Sequence, residues 1–114
     1  MSEILLAGMQ FDTYLQKHEI FGKTRRLMEV CLKNLYRDDP EQFQSDMLAN
    51  LQTVLDTYRF ARKIAAIERN YRYEPPLDCL TASIDISDEA DGYVAIYTAF
   101  WDFNGNAIDD MLTT

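Results

Sequence analysis

The hydrophobic spacing of this chain changes at the dipeptide Pro75-Pro76. Before it, apolar residues recur at intervals of three and four, as they do along one face of an amphipathic helix. After it, apolar and polar residues alternate over residues 80–87, which is the period of a strand with one buried face. We therefore predict an α+β fold in a single domain over residues 1–114. Residues 1–74 would form antiparallel helices, and residues 75–114 a small antiparallel β-hairpin or three-stranded meander.

A long helix is predicted from Pro40 to Tyr71. The Asp39 carboxylate can accept a hydrogen bond from the free amides of the first turn, and proline suits that turn because its missing N–H costs nothing there. No glycine or proline interrupts residues 40–71. Such a helix would be about 48 Å long, whereas a compact domain of this size is only about 34 Å across.

The apolar stripe of this predicted helix rotates by roughly 155° near Arg59. Either the helix bends or breaks there within a monomer, or it stays straight and buries opposite faces against two different bodies, one of which could be another copy of the chain. The second alternative predicts a homodimer through the helix surface around Phe60, Ile64, Ile67 and Tyr71.

Two turn signals organise the C-terminal part. The acidic turn at residues 88–92 separates the alternating segment from residues 93–103, which are apolar or aromatic on both faces and therefore suit a central or doubly covered strand. Asn104-Gly105 suits a tight type I′ hairpin. Residues 106–112 would then return as a third strand, with a short terminal helix as the alternative.

Charge is segregated along the chain as well. All eleven Lys and Arg residues lie at or before Arg72, whereas residues 75–114 carry eight carboxylates and no basic side chain. Residues 1–74 hold eleven acids and eleven bases, so the net charge of −8 belongs to the C-terminal part. Direct nucleic-acid binding is not expected, because phosphate contacts depend on clustered Lys and Arg. Part of the acidic segment is expected to fold back onto the basic stretch at residues 59–72.

No motif indicates catalysis, so we expect a protein that is not an enzyme and has no cofactor or metal. His18 is the single histidine, and Cys31 and Cys79 form no CxxC pair. The segment from Asp102 to Asn106 begins like a calcium-binding EF-hand loop. The match fails because that loop needs glycine at its sixth position and glutamate at its twelfth, where this chain has alanine and threonine.

The acidic C-terminal part suggests a small binding protein that inhibits, neutralises or chaperones a basic protein partner. Opposite charge would speed the encounter, and aromatic side chains would anchor the complex. Its size and acidity are similar to those of immunity proteins and antirestriction DNA mimics, although no motif matches either class. The predicted partner-binding residues are Asp85, Asp88, Glu89, Asp91, Tyr93, Tyr97, Trp101, Asp102, Asp109 and Asp110.

The alternative function is a homo-oligomeric structural or assembly subunit with the long helix as its interface. The N-terminus lacks the basic region and long apolar segment of a signal peptide, and no stretch approaches the roughly 20 apolar residues of a membrane span. We therefore expect a cytoplasmic protein with no membrane partner.

Overall fold

The computed structural model describes the backbone of residues 3–114 and the side chains of residues 8–114. The class is α+β, as predicted, but the sheet has four strands. In chain order the elements are α1 Glu3–Lys17, α2 Ile20–Asp38, α3 Pro40–Met47, α4 Leu51–Thr57, β1 Arg59–Asn70, β2 Leu77–Ser87, β3 Tyr93–Trp101 and β4 Ala107–Thr113. Within this described part, no helix is both long and apolar enough to cross a membrane.

The four strands form one antiparallel sheet in the order β1-β2-β3-β4. Each strand pairs with its neighbour in sequence, because short connections favour a meander. On the middle strand β2, Ile84 lies opposite Arg62 of β1 and Tyr97 of β3. The strands β1 and β4 are therefore the two open edges, on opposite sides of the sheet.

The core lies between one face of the sheet and the helices α2, α3 and α4. The central strands contribute alternate residues to it, because successive side chains of a strand point to opposite faces. Its fully or almost fully buried members include Ile20, Met28, Leu32, Phe43, Met47, Val54, Leu80, Ile84, Ile86, Tyr97 and Trp101. The Trp101 indole N–H donates a 3.2 Å hydrogen bond to the hydroxyl of Thr24 on α2, so the largest core side chain has its polar atom satisfied.

The predicted helix over residues 40–71 is interrupted after Met47, is helical again over Leu51–Thr57, and is wrong from Arg59 onward. It begins at Pro40 as expected, and the Asp39 side chain accepts a hydrogen bond from the backbone N–H of Gln42 at 3.1 Å. It ends at Met47, because Leu48 adopts a left-handed conformation with φ of 66°. The helix α4 then starts after a new N-cap, and from Arg59 the chain is a strand.

The rotation of the apolar stripe near Arg59 marks this change from helix to strand. A β-bulge between Arg62 and Ile64 shifts the register of β1. The bulge hides the period-two pattern, since alternation before it and after it is out of phase. Of the residues proposed for the helical dimer surface, Phe60, Ile64 and Ile67 therefore lie on the edge strand β1, and Tyr71 lies in the turn that follows it. Phe60 is partly buried against the core. The helical part of the chain ends at Thr57 rather than near residue 74.

The connection from β3 to β4 is a hairpin, but not the predicted two-residue type I′ turn. The backbone N–H of Asp102 donates to the carbonyl oxygen of Asn106 at 2.9 Å, so three residues separate the closing pair. A type I′ turn needs positive φ at both central residues. Here Gly105 has φ of 85°, whereas Asn104 does not have positive φ. The third predicted strand is confirmed as β4.

Candidate functional site

The two hairpin loops of the acidic segment have the same construction. In the β2–β3 loop, residues 88–92, Oδ1 of Asp88 accepts hydrogen bonds from the backbone N–H groups two and four residues later, at 2.9 and 2.8 Å. In the β3–β4 loop, residues 102–106, Oδ1 of Asp102 accepts the equivalent pair at 2.9 Å each. The backbone N–H of Asn106 is the main cause that lowers the pKa of Asp102. Both carboxylates therefore stabilise turns.

Three further acids face cations of β1. Asp85 lies 3.5 Å from Lys63, Asp78 accepts two hydrogen bonds from Arg69 at 2.6 and 3.0 Å, and Asp91 pairs with Arg59. The hydrogen bond from Arg69 also lowers the pKa of Asp78. These pairs are largely exposed and contribute little stability. They do neutralise part of the negative charge of residues 75–114 within the molecule, as expected from the basic stretch at residues 59–72.

The aromatic residues proposed as anchors are placed differently from one another. Tyr97 is fully buried, Trp101 is 3% exposed, and both belong to the core, whereas Tyr93 is 59% exposed. Burial, followed by the neighbouring Asp110 carboxylate, raises the pKa of the Tyr97 hydroxyl, which donates a 2.6 Å hydrogen bond to Asp110. In this conformation, Tyr93 alone among the three can touch a partner.

The ten predicted partner-binding residues do not form one surface. The loop at residues 88–92 carries Asp88, Glu89 and Asp91, and the loop that begins at Asp102 lies at the other end of β3. A strand of this length separates the two ends by about 30 Å. The predicted set is therefore spread over both hairpin loops and three strands, with Asp85 on β2, three aromatic residues on β3, and Asp109 and Asp110 on the edge strand β4.

A different cluster combines acidic charge with exposed apolar surface. We call it the acidic groove. It is a cavity of about 120 Å³ between the end of α2, the helix α3 and the edge strand β4. Its apolar floor, in which Phe43 and Met47 are only 3% and 1% exposed, also includes Leu35 and Leu112. Its polar rim consists of Asp38, Asp39, Gln42 and Asp46.

Two cation-free stretches of the chain meet at the acidic groove. Residues 38–58 and 73–114 contain no Lys or Arg and together hold 14 of the 19 acidic residues. The first stretch supplies α3, and the second supplies β4 with Asp109 and Asp110. The cations lie instead on α2, on β1, in the turn after β1 and near the end of α1. The sheet order therefore separates a basic edge, β1, from an acidic edge, β4.

No protein-family model matches this chain, and no curated protein or solved structure is significantly similar to it.

The single histidine and the two cysteines are of residue types often used in catalysis, but here their side chains pack against neighbouring residues or are partly or fully buried. The ring of His18 packs against the ring of Tyr14 at 4.4 Å between centroids. Burial is the main cause that raises the pKa of the thiols of Cys31 and Cys79, which keeps them protonated and poorly nucleophilic. Within the described residues, no three His, Cys, Asp or Glu side chains are grouped as a metal site would need.

Sequence reasoning did not find the acidic groove, because its residues come from segments that are far apart in the chain. Leu35 and Asp38 end one helix, Asp46 lies on the next, and Leu112 is close to the C-terminus. One feature of the sequence does indicate an acidic surface near α3. The absence of Lys and Arg from residues 38–58 is as complete as their absence from the C-terminal segment.

Proposed function

We propose that the protein is a non-catalytic binding protein whose acidic groove receives a basic protein partner, which it inhibits, neutralises or chaperones. The observation that carries the proposal is the lining of one groove by apolar side chains and three carboxylates. Asp38 pairs with Arg37 at 3.2 Å, whereas Asp39 and Asp46 form no ion pair with any side chain in residues 8–114. Apolar contact supplies affinity when it is desolvated, and surrounding charge supplies steering and selectivity.

The geometry around the groove supports a two-part contact. Leu35 is 43% exposed and offers an apolar side chain at the groove. The outer edge of β4 has unpaired backbone groups and acidic side chains at Asp109 and Asp110, so an extended basic segment can add to the sheet there. A partner side chain in the groove and a partner strand on β4 would reinforce each other.

The test compares which proteins are retained from an extract of the native host at low salt. The groove variant carries Asp38→Asn and Asp46→Asn, and the control variant carries Asp12→Asn and Asp56→Asn. The control is matched, since Asp46 and Asp56 each accept a hydrogen bond from a glutamine one turn earlier, at 2.9 and 2.8 Å. Both variants lose two charges from exposed helical positions.

We expect the wild type and the control variant to retain the same basic protein, and the groove variant to lose it. The purified partner should then associate more slowly with the groove variant, because rim charges act mainly on the association rate. Equal retention by the two variants would contradict the assignment of the groove. Retention of acidic proteins alone would contradict the proposed class of partner.

A second candidate function, a homo-oligomeric assembly subunit, is favoured by the exposure of β1. Within the described residues the main contacts of this strand are with β2, and α2 reaches it through the pairs Phe21–Arg62 and Arg25–Phe60. Ile67 is 64% exposed, and Tyr71, just after the strand, is 75% exposed. Antiparallel pairing of two copies of β1 about an axis near Ala65 would set Arg62 of one copy opposite Glu68 of the other.

This alternative predicts a dimer whose stability depends little on salt. Sedimentation velocity at low and high salt would detect it, and Ile67→Lys would convert it to a monomer. A wild-type protein that remains a monomer at high concentration would contradict the alternative and leave the proposal on the acidic groove unaffected.

A further inference from the structure

An open cleft lies on the opposite, basic side of the molecule, between the first half of α2 and the edge strand β1. It consists of two adjoining cavities of about 300 and 190 Å³, which share Phe21, Gly22 and Arg62. The larger cavity is at the lower limit of the volumes typical of small-molecule sites. The cleft exists because the helices cover β2 and β3 but leave the helix-facing side of β1 largely uncovered.

Two arginines of this cleft are held against aromatic rings. The guanidinium carbon of Arg62 lies 5.0 Å from the ring centroid of Phe21, and that of Arg25 lies 5.1 Å from the ring centroid of Phe60. The negative face of an aromatic ring attracts a guanidinium group that lies above it. The N–H groups at the edge of the guanidinium plane remain free to donate hydrogen bonds to a ligand. Arg26 lines the larger cavity together with Arg62 and the acidic Glu19, so two cations face one carboxylate there.

The charges of the cleft are incompletely balanced. Three other cations of β1, Arg59, Lys63 and Arg69, each have a carboxylate partner. Arg62 forms no ion pair with any side chain in residues 8–114, and the pair of Arg26 is a long one, 3.9 Å to Glu19. Like charges that share a cleft repel one another. An anion between them would relieve this repulsion.

The space for a ligand depends on Gly22. A β-carbon at this position would lie 3.7 Å from a terminal nitrogen of Arg26. A larger side chain would project into the cavity beside the two guanidinium groups. The absence of a side chain therefore keeps the cleft open on the helix side.

We propose that this cleft binds a small organic oxyanion, with its phosphate, sulfonate or carboxylate group on Arg26 and Arg62 and its apolar or aromatic part against Phe21. Arginine suits this role because its planar donors match an oxyanion with two hydrogen bonds. The site is separate from the acidic groove, and its ligand would be held by cations rather than by carboxylates. Its test needs no protein partner, so its outcome is independent of the function proposed for the acidic groove.

The test is an NMR titration of the intact ¹⁵N-labelled protein with phenyl phosphate, followed through the backbone amides of residues 21–23. Inorganic phosphate and phenol are titrated separately, so that the anionic and the aromatic contributions are measured independently. We expect saturable shifts with phenyl phosphate, weaker binding of inorganic phosphate and no saturation with phenol. The absence of saturable shifts with phenyl phosphate, or equal affinity for inorganic phosphate, would overturn the proposal.

The matched variants are Arg62→Gln and Arg69→Gln, which remove one cation each from the same strand. We expect Arg62→Gln to weaken phenyl phosphate binding by about tenfold or more, as for loss of a charge-assisted pair, and Arg69→Gln by less than about twofold. Gly22→Leu keeps every charge and should also weaken binding, because its side chain would close the cleft. It replaces Arg62→Gln as the test variant if Arg62→Gln does not fold. Equal effects of the two arginine variants, or unchanged binding by Gly22→Leu, would overturn the site.

Discussion

The hydroxyl of Tyr97 donates a 2.6 Å hydrogen bond to a carboxylate oxygen of Asp110, so a fully buried phenol on β3 is tied to the acidic edge strand β4. We expect Tyr97→Phe to lower the free energy of unfolding at pH 7 by about 0.5–1.5 kcal/mol, the net worth of one hydrogen bond. Urea denaturation measures this change. Tyr93→Phe on the same strand is the control, because its exposed hydroxyl donates only a longer, 3.3 Å hydrogen bond to the carbonyl oxygen of Thr113. An equal loss there would contradict the structural role of the buried pair.

The same pair predicts a loss of stability at alkaline pH. Burial first, and then Asp110, raise the pKa of Tyr97 above its ordinary value of 10.0. The unfolded chain therefore releases this proton at a pH at which the folded protein still holds it. The contribution of Tyr97 to stability is full below pH 10 and declines as the pH rises above it. Above about pH 10, the unfolding free energy of the wild type should fall more steeply than that of Tyr97→Phe, whereas below pH 10 the two curves should run parallel. Parallel curves above pH 10 as well would show that the phenol titrates freely.

The contact between Trp101 and Thr24 gives a test of the core. Thr24→Val keeps the shape of the side chain but leaves the buried indole N–H without its acceptor, which should cost about 1–3 kcal/mol of unfolding free energy. In a Trp101→Phe background there is no donor left to satisfy, so Thr24→Val should cost less there. A double-mutant cycle measures the difference. Additive effects would contradict the hydrogen bond as a source of stability.

The β3–β4 loop gives a test of backbone conformation and close packing. Gly105 has φ of 85°, and a β-carbon there would lie 2.9 Å from Nδ1 of His18. Gly105→Ala should therefore lose about 1–2 kcal/mol from the left-handed backbone alone, and more from the contact. In a His18→Ala background only the backbone part should remain. An equal loss in both backgrounds would show that His18 moves away at no cost.

Local signals predicted the parts of the fold that depend on local chemistry. Asp39-Pro40 marked the start of α3, because an N-cap carboxylate and an N1 proline act within one turn. The alternation over residues 80–87 predicted β2, and Asn104-Gly105 predicted a hairpin. The turn type was wrong because the Asp102 side chain holds a longer loop, and such a bond depends on the backbone path.

The strand β1 could not be predicted from the same signals. Its sequence contains good helix formers, and its bulge near Lys63 interrupts the strand period. It is a strand because β2 offers a complete ladder of backbone partners, and such a tertiary contact overrides local preference. The acidic groove escaped prediction for a related reason. Its rim and its floor meet only after α2, α3 and β4 have packed together.

The most direct test of the proposed function is site-specific photo-crosslinking in the native host, with a photoreactive amino acid at Leu35 in the acidic groove or at Ile67 on β1. Both positions are exposed, and Leu35 lies in the groove beside the edge strand β4, whereas Ile67 lies on the other edge strand, β1. We predict that the probe at Leu35 forms an adduct with a basic protein, that Asp38→Asn with Asp46→Asn reduces the adduct, and that the probe at Ile67 does not capture this protein. A basic protein captured equally from both positions, or adducts only between two copies of the chain, would contradict binding at the acidic groove.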